Sequence, residues 1–196
     1  MNNCLKKILG MLLIFGLNST LSAQIVKKLE VGSTAIDMGS LLDFVFKDSL
    51  DRKVRLSDYK GKFLFVDLWY SGCGGCITAN EGLSVVHEKL RDSNVVFFSI
   101  SVDKNRDKWL ASITPGAKPT KLNPWAGRYV PYKGTIVLYT DGTGYENDFI
   151  RKMVPRNVYP KLLMFGADGK LIDETPPRPD YDPGSLVRFI LSKMEL

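Results

Sequence analysis

Cysteine and histidine are scarce in this sequence: 196 residues hold three cysteines, Cys4, Cys73 and Cys76, and one histidine, His87. A structural zinc site normally takes four ligands. On a helix, His87 would lie more than two turns beyond Cys76, too far to join it, so no metal is expected. A secreted scaffold stapled by disulfides would carry more cysteines closing longer loops. No apolar run is long enough to cross a bilayer comfortably, which takes roughly 20 residues. Charge of one sign is not concentrated anywhere: 27 basic and 21 acidic residues are scattered for a net charge of +6. That pattern describes a soluble mixed surface and gives no footprint for nucleic acid. Internal repeats and low-complexity tracts are absent. What is present, 44% hydrophobic and 11% aromatic residues, suits a packed globular core.

The first residues have a character of their own. Lys6 and Lys7 precede an apolar stretch at residues 8–17, and small or polar residues follow up to Ala23. This order describes a secretory signal over residues 1–23, with an uncleaved membrane anchor as the competing reading. Cys4 precedes the apolar stretch, where a lipid-modified cysteine would follow it. Without residues 1–23 the chain loses two lysines and no acid, so the net charge falls from +6 to +4. It then keeps two cysteines three positions apart, which look like a working pair.

Residues 24–36 read as a leader, and residues 37–196 as one α/β domain. Leu42–Phe46 and Lys53–Leu56 are expected strands around a polar turn, an N-terminal hairpin. Phe63–Trp69 (FLFVDLW) is almost wholly apolar, as a strand buried on both faces would be, with Asp67 its one charge. Cys76, Ala79, Leu83, Val86 and Leu90 recur at steps of three and four and draw one helical stripe. Cys76 starts that stripe and is the expected buried thiol, while Cys73 lies at the helix start, where it can face solvent. Val95–Ile100 reads as the next buried strand, parallel to the first through a right-handed crossover. Arg106–Ile113 is an expected helix, residues 115–133 a loop-like stretch with four prolines, Thr135–Tyr139 a strand and Glu146–Met153 a helix. Lys161–Phe165 and Lys170–Asp173 flank Gly166-Ala167-Asp168-Gly169, a hairpin turn. Asp182 followed by Pro183 signals the cap and first position of a last helix.

The chemistry in Cys73-Gly74-Gly75-Cys76 follows from its placement. A thiolate rather than a thiol attacks a disulfide. Unpaired amides and the positive dipole end at a helix start lower the pKa of a sulfur held there. Cys73 would attack, forming a mixed disulfide, and Cys76 would resolve it from one helical turn away. Two intervening residues let the sulfurs meet within disulfide geometry. Asp67, six residues before Cys73, is a candidate relay for the Cys76 proton, since burial raises a carboxyl pKa. A structural acid satisfied by a neighbouring amide or lysine is the alternative.

Val66-Asp67-Leu68-Trp69 followed by Cys73-Gly74-Gly75-Cys76 resembles the thioredoxin signature. Val158-Tyr159-Pro160-Lys161-Leu162-Leu163-Met164-Phe165 resembles that superfamily's cis-proline segment. With Val54–Lys62 ahead of the strand and a long insert after Asp103, the chain looks like the TlpA/ResA type of envelope thiol–disulfide oxidoreductase. The resemblance implies a thioredoxin fold, a central mixed sheet flanked by helices, with the N-terminal hairpin as an extension and the insert before the cis-proline loop. It implies a redox-active Cys73–Cys76 disulfide, no cofactor, and a cis bond before Pro160. Tyr159, Pro160 and Trp69 would then border a bound substrate. The implied partners are a disulfide-bearing envelope protein and an upstream thiol donor, soluble or membrane-bound. The implied location is periplasmic or otherwise extracytoplasmic after signal cleavage, or membrane-anchored without it, with cytochrome c maturation as one setting.

Three departures stand out. Gly72 occupies the place of a common Trp before the first cysteine, Lys161 that of a Thr after the cis-proline, and Glu81 lies near the usual helix proline. A copper-delivery protein of this fold would want wider cysteine spacing and a distal histidine. A thiol peroxidase would want a Thr or Ser where Tyr70 stands. A binding protein switched by its disulfide without turnover is the third rival. Trp109 and Trp125, both in the insert region, are expected core residues, with a recognition surface as the alternative.

Overall fold

The central strands come from the sequence's most apolar runs, and the two faces of those strands are covered by different helices. The computed structural model describes residues 43–195. The signal, the leader and Leu42 lie outside the described residues. In chain order the elements are β1 (Val45–Lys47), β2 (Lys53–Arg55), β3 (Phe63–Trp69), α1 (Gly74–Leu90), β4 (Val95–Ser101), α2 (Arg106–Ile113), β5 (Ile136–Tyr139), α3 (Asp148–Met153), β6 (Lys161–Phe165), β7 (Leu171–Asp173) and α4 (Pro183–Met194). Short 3₁₀ turns cover Leu56–Tyr59 and Gly144–Glu146. The second takes over the start of the helix expected from Glu146, because Asn147 caps a fresh helix, its side chain accepting from the amides of Phe149 and Ile150.

Seven strands form one mixed sheet in the order β2-β1-β5-β4-β3-β6-β7. β3 and β4 are parallel, β4 and β5 are parallel, and β6 runs antiparallel to β3. The β1–β2 hairpin extends the sheet at one edge, where Lys47 pairs with Tyr139 of β5. Period-two alternation sorts β3 between two cores. Leu64, Val66 and Leu68 join Phe98, Ile100 and the α3 residues Phe149, Ile150 and Met153. Phe65 faces the other way, with Leu83, Val86 and Leu90 of α1 and Leu186 and Ile190 of α4. Trp69, on that same face, closes a third cluster with Cys73, Cys76, Trp109 and Tyr129. Asp67 lies between Phe65 and Trp69 and therefore faces α1, the side of the sheet that Cys76 covers.

Among the described residues no helix is long and apolar enough to cross a membrane. The α1 stripe is the seam on which the cysteine pair depends. Leu83, with no exposed surface, should be expensive to truncate: Leu83→Ala should lower unfolding stability by about 2–5 kcal/mol, measured by urea denaturation of the oxidised protein.

Candidate active site

The parallel strands β3 and β4 end side by side, and the turn that follows β3 is tied to the segment that follows β4. Ser71 donates its amide to both carboxylate oxygens of Asp103, at 3.2 and 3.0 Å, and its hydroxyl to Oδ2 at 2.8 Å. Ser101 donates its hydroxyl to the same Oδ2 at 2.7 Å. The buried Asp103 thus receives donors from both strand ends and holds the turn leading to the cysteines. Gly72 follows with φ +96, a conformation open to glycine and strained for other residues. A Cβ at Gly72 would meet Trp125 Nε1 at 2.9 Å. The indole of the insert therefore covers the place that a Trp before the first cysteine would otherwise fill.

Cys73 is the N-cap of α1, with extended backbone (φ −79, ψ 97), and its Sγ accepts the amide of Cys76 at 3.1 Å. The Cys73 carbonyl takes the same amide at 3.0 Å and that of Ile77 at 3.1 Å. The sulfur thus sits among the first-turn amides, where negative charge is favoured. Cys73 and Cys76 form a disulfide with an S–S distance of 2.03 Å and Cα atoms 5.2 Å apart. Cys76 has no exposed surface and Cys73 retains 6%. Cys73 is the sulfur a partner can reach, yet it is far less open than a helix-start position suggests, because Tyr70, Ile77 and Tyr159 pack against its cluster.

Asp67, 1% exposed, lies on the same face of β3 as Trp69, whose cluster holds both cysteines. Its Oδ2 accepts the hydroxyl of Tyr129 at 2.6 Å. Its Oδ1 is buried with no hydrogen-bond partner among the described residues. Burial pushes the Asp67 carboxyl up to about 7, against a smaller downward pull from the Tyr129 hydrogen bond and the Arg178 charge. Among the described residues no lysine bonds to Asp67: its hydrogen-bond partner is a phenol. Tyr129 in turn stacks on Trp69, ring centroids 3.5 Å apart and planes 4° from parallel.

The bond between Tyr159 and Pro160 is cis. Register places it: Lys161 pairs with Leu68 across the β3–β6 ladder, so Pro160 abuts the end of β3 and the active turn. Arg178, on the connector between β7 and α4, reaches the same turn. It donates to the Gly75 carbonyl at 3.4 Å while Asp180 grips it at 2.9 and 2.7 Å. The connector approaches closely because residue 82 is glycine, where a Cβ would come within 2.5 Å of the Pro179 carbonyl oxygen. From Pro160 and Arg178 a groove of about 670 Å3 runs along Val154, Arg156, Val158 and Lys161.

Cys73, Cys76, Asp67, Tyr159 and Pro160 therefore come together at one end of the sheet. Trp69 is a correction: expected at the substrate border, it has no exposed surface, since its position in β3 points it under α1 against Tyr129. Trp125 is another, half-buried over Gly72 rather than in the core. Trp109 is fully buried and stacks on Tyr139. His87 packs between the rings of Phe97 and Tyr132. Ser71, Asp103, Tyr129 and Arg178 escaped the sequence reading. Asp103 alone left a signal there, an acid immediately after an apolar strand.

The model of the AhpC/TSA family matches residues 39–126, which include both cysteines. The solved structures that resemble this chain carry one fold. A putative thiol–disulfide oxidoreductase from Bacteroides vulgatus is 26% identical, with a TM-score of 0.55 over 76% of this chain and 87% of its own. A putative thiol:disulfide interchange protein DsbE from Chlorobium tepidum is 20% identical, with a TM-score of 0.57 over 78% and 93%. The C-terminal domain of a putative thiol-disulfide oxidoreductase from Bacteroides thetaiotaomicron is 17% identical, with a TM-score of 0.58 over 78% and 91%. The chain thus has the thioredoxin fold of these structures, and its likeness to the AhpC/TSA family covers residues 39–126. No curated protein matches it.

In this thioredoxin-like protein the raised Asp67 pKa links stability to pH. The folded state holds a proton that the unfolded chain releases above its ordinary 3.8. The stabilisation is complete below that value and is lost as pH rises through about 7. Asp67→Asn removes the titration. Its stability relative to the wild type should therefore grow by about 2–3 kcal/mol between pH 5 and pH 8, read by urea unfolding of the oxidised proteins. A pH-independent difference would mean Asp67 is ionised throughout.

Proposed function

We propose that this protein is an extracytoplasmic thiol–disulfide oxidoreductase that reduces disulfides in protein partners. The observation that carries the reading is Cys73 Sγ at the α1 N-cap, hydrogen-bonded by the Cys76 amide and bonded to Cys76 Sγ, with the cis Tyr159–Pro160 bond alongside. In the reduced protein the Cys73 thiolate attacks the partner's disulfide, joining one partner sulfur and releasing the other as a thiolate. Cys76 passes its proton to Asp67 and attacks Cys73 Sγ, which frees the second partner sulfur and closes the Cys73–Cys76 disulfide. The partner gains two electrons and, from solvent, two protons. An upstream dithiol, soluble or membrane-bound, then reduces the disulfide again. The signal-like residues 1–23 favour an extracytoplasmic site, and the TlpA/ResA resemblance favours cytochrome c maturation as the setting.

A reducing direction is supported by the absence of a cation between the cysteines; Arg178, which reaches Gly75, is offset by Asp180. A protein partner is supported by the groove beside Pro160. Val158 is 65% exposed there, and Arg156 makes no ion pair among the described residues. The groove fits an extended segment carrying apolar and acidic side chains next to its cysteine. A thiol peroxidase is disfavoured by Tyr70, which stands where that chemistry wants a hydroxyl.

Supplied with a reducing dithiol, the protein should reduce a protein disulfide catalytically, and Cys73→Ser should abolish turnover. Equal turnover by that variant would refute the reading, and binding without turnover by the wild type would favour a redox-switched binding protein. Arg156→Glu should lower kcat/KM for a disulfide peptide flanked by acidic residues by about 3- to 5-fold at low salt, with less effect at high salt. Its activity on a small neutral disulfide should match the wild type.

A further inference from the structure

A carboxylate that takes a proton from a thiol near neutral pH needs a pKa high enough to accept it and an environment that still tolerates its ionised form. Burial alone meets the first need and works against the second. In this protein the second need falls to Tyr129, a residue of the insert 62 positions away in sequence.

Three observations converge on it. Tyr129 Oη lies 2.6 Å from Asp67 Oδ2 and 2.9 Å from Ser99 Oγ, and all three residues are buried. Ser99 stands directly opposite Asp67 in the β3–β4 register. When Asp67 is ionised Tyr129 donates to it, which leaves Ser99 to donate to the phenol oxygen, and the three groups then form one directed chain. The Tyr129 ring is also immobilised against Trp69 in the cluster that contains both cysteines.

We propose that Tyr129 is a positioning residue of the disulfide exchange: its hydroxyl holds Asp67 beneath the cysteines and governs how readily that carboxylate takes the proton of Cys76. The proposal rests on the reading of Asp67 as the relay. In the forward step the Cys76 S–H bond breaks, its proton goes to Asp67, and the sulfur's electron pair forms the new bond to Cys73 Sγ. When an upstream thiolate reopens the disulfide by attacking Cys73, Cys76 leaves as a thiolate and recovers that proton from Asp67. Tyr129 keeps its own proton throughout, since burial and the neighbouring Asp67 push its phenol well above its ordinary range. It is thus a donor at every pH at which the exchange runs. A lysine in its place would pin Asp67 as a carboxylate; a phenol supports the anion and leaves it neutralisable.

The other groups bearing on Asp67 are few. Arg178, from the connector, draws the carboxyl downward, the Asp67 charge adds to the burial that keeps the Tyr132 phenol of the insert protonated, and the cysteines of α1 do not titrate while disulfide-bonded. None of these makes a hydrogen bond to Asp67.

Tyr129→Phe keeps the ring on Trp69 and removes only the donor. In the oxidised full-length protein, carboxyl 13C NMR should find the Asp67 midpoint raised by about one to two pH units relative to the wild type. The pH profile for reduction of a protein disulfide should move in the same direction. Midpoints within about 0.3 unit of each other would overturn the proposal, the hydrogen bond being too weak to matter. Should Tyr129→Phe not fold, Ser99→Ala carries the test, with a smaller upward shift expected and an unmoved midpoint overturning it. Asp67→Asn separates the two readings. If it leaves the rate and its pH profile as in the wild type, Asp67 is no relay. If it alters both while Tyr129→Phe leaves the midpoint alone, Tyr129 alone is excluded.

Discussion

The amides at the start of α1 need a partner, and the partner they find is Cys73 Sγ. A helix leaves its first N–H groups without internal acceptors, and a cysteine at the N-cap meets one of them with sulfur, 3.1 Å from the Cys76 amide. Everything else at this end of the molecule keeps that sulfur in register. The β3–β4 pairing aims the turn, and the Asp103 carboxylate clamps it through Ser71. The β6 register brings Pro160 alongside. A shift of one residue in any of these ladders would turn the side chains concerned to the opposite face.

Below the sulfurs the protein keeps an acid where acids are disfavoured. Asp67 interrupts an otherwise apolar strand, and its burial works against its ionised form. The cations near the site are paired with acids: Lys161 with Glu174, and Arg178 with Asp180. A buried carboxylate matched with a full positive charge would stay ionised, whereas one matched with a phenol remains able to exchange a proton near neutrality. The site therefore depends on offsetting nearby charge as much as on placing donors.

The insert between β4 and β5 supplies what the strand-to-helix turn lacks. Gly72 leaves a gap beside the first cysteine, and Trp125 covers it. Trp69 is buried and presents no face to a partner, yet it gives Tyr129 a flat surface to rest on. One segment thus contributes an outer wall above the disulfide and a hydrogen-bond donor beneath it. The proline-rich connector does the corresponding work on the other side, crossing α1 at Gly82 to deliver Arg178 to Gly75.

Residues read in order were enough to place β3, α1, β4, α2 and the β6–β7 hairpin, because each announces itself through local periodicity, a cap or a turn. They were enough also to single out Cys73, Cys76 and Asp67, whose spacing lies within one strand–turn–helix unit. Pro160 was legible through resemblance, since a peptide bond's isomer leaves no trace in periodicity. The roles of Tyr129, Trp125, Asp103 and Arg178 were decided only by tertiary structure. Each meets its partner across a sequence gap of 32 to 103 residues or through an aperiodic insert. A local pattern can say which face of an element is apolar; it carries no information about which distant loop will cover that face, and that choice rests on the packing of the whole domain.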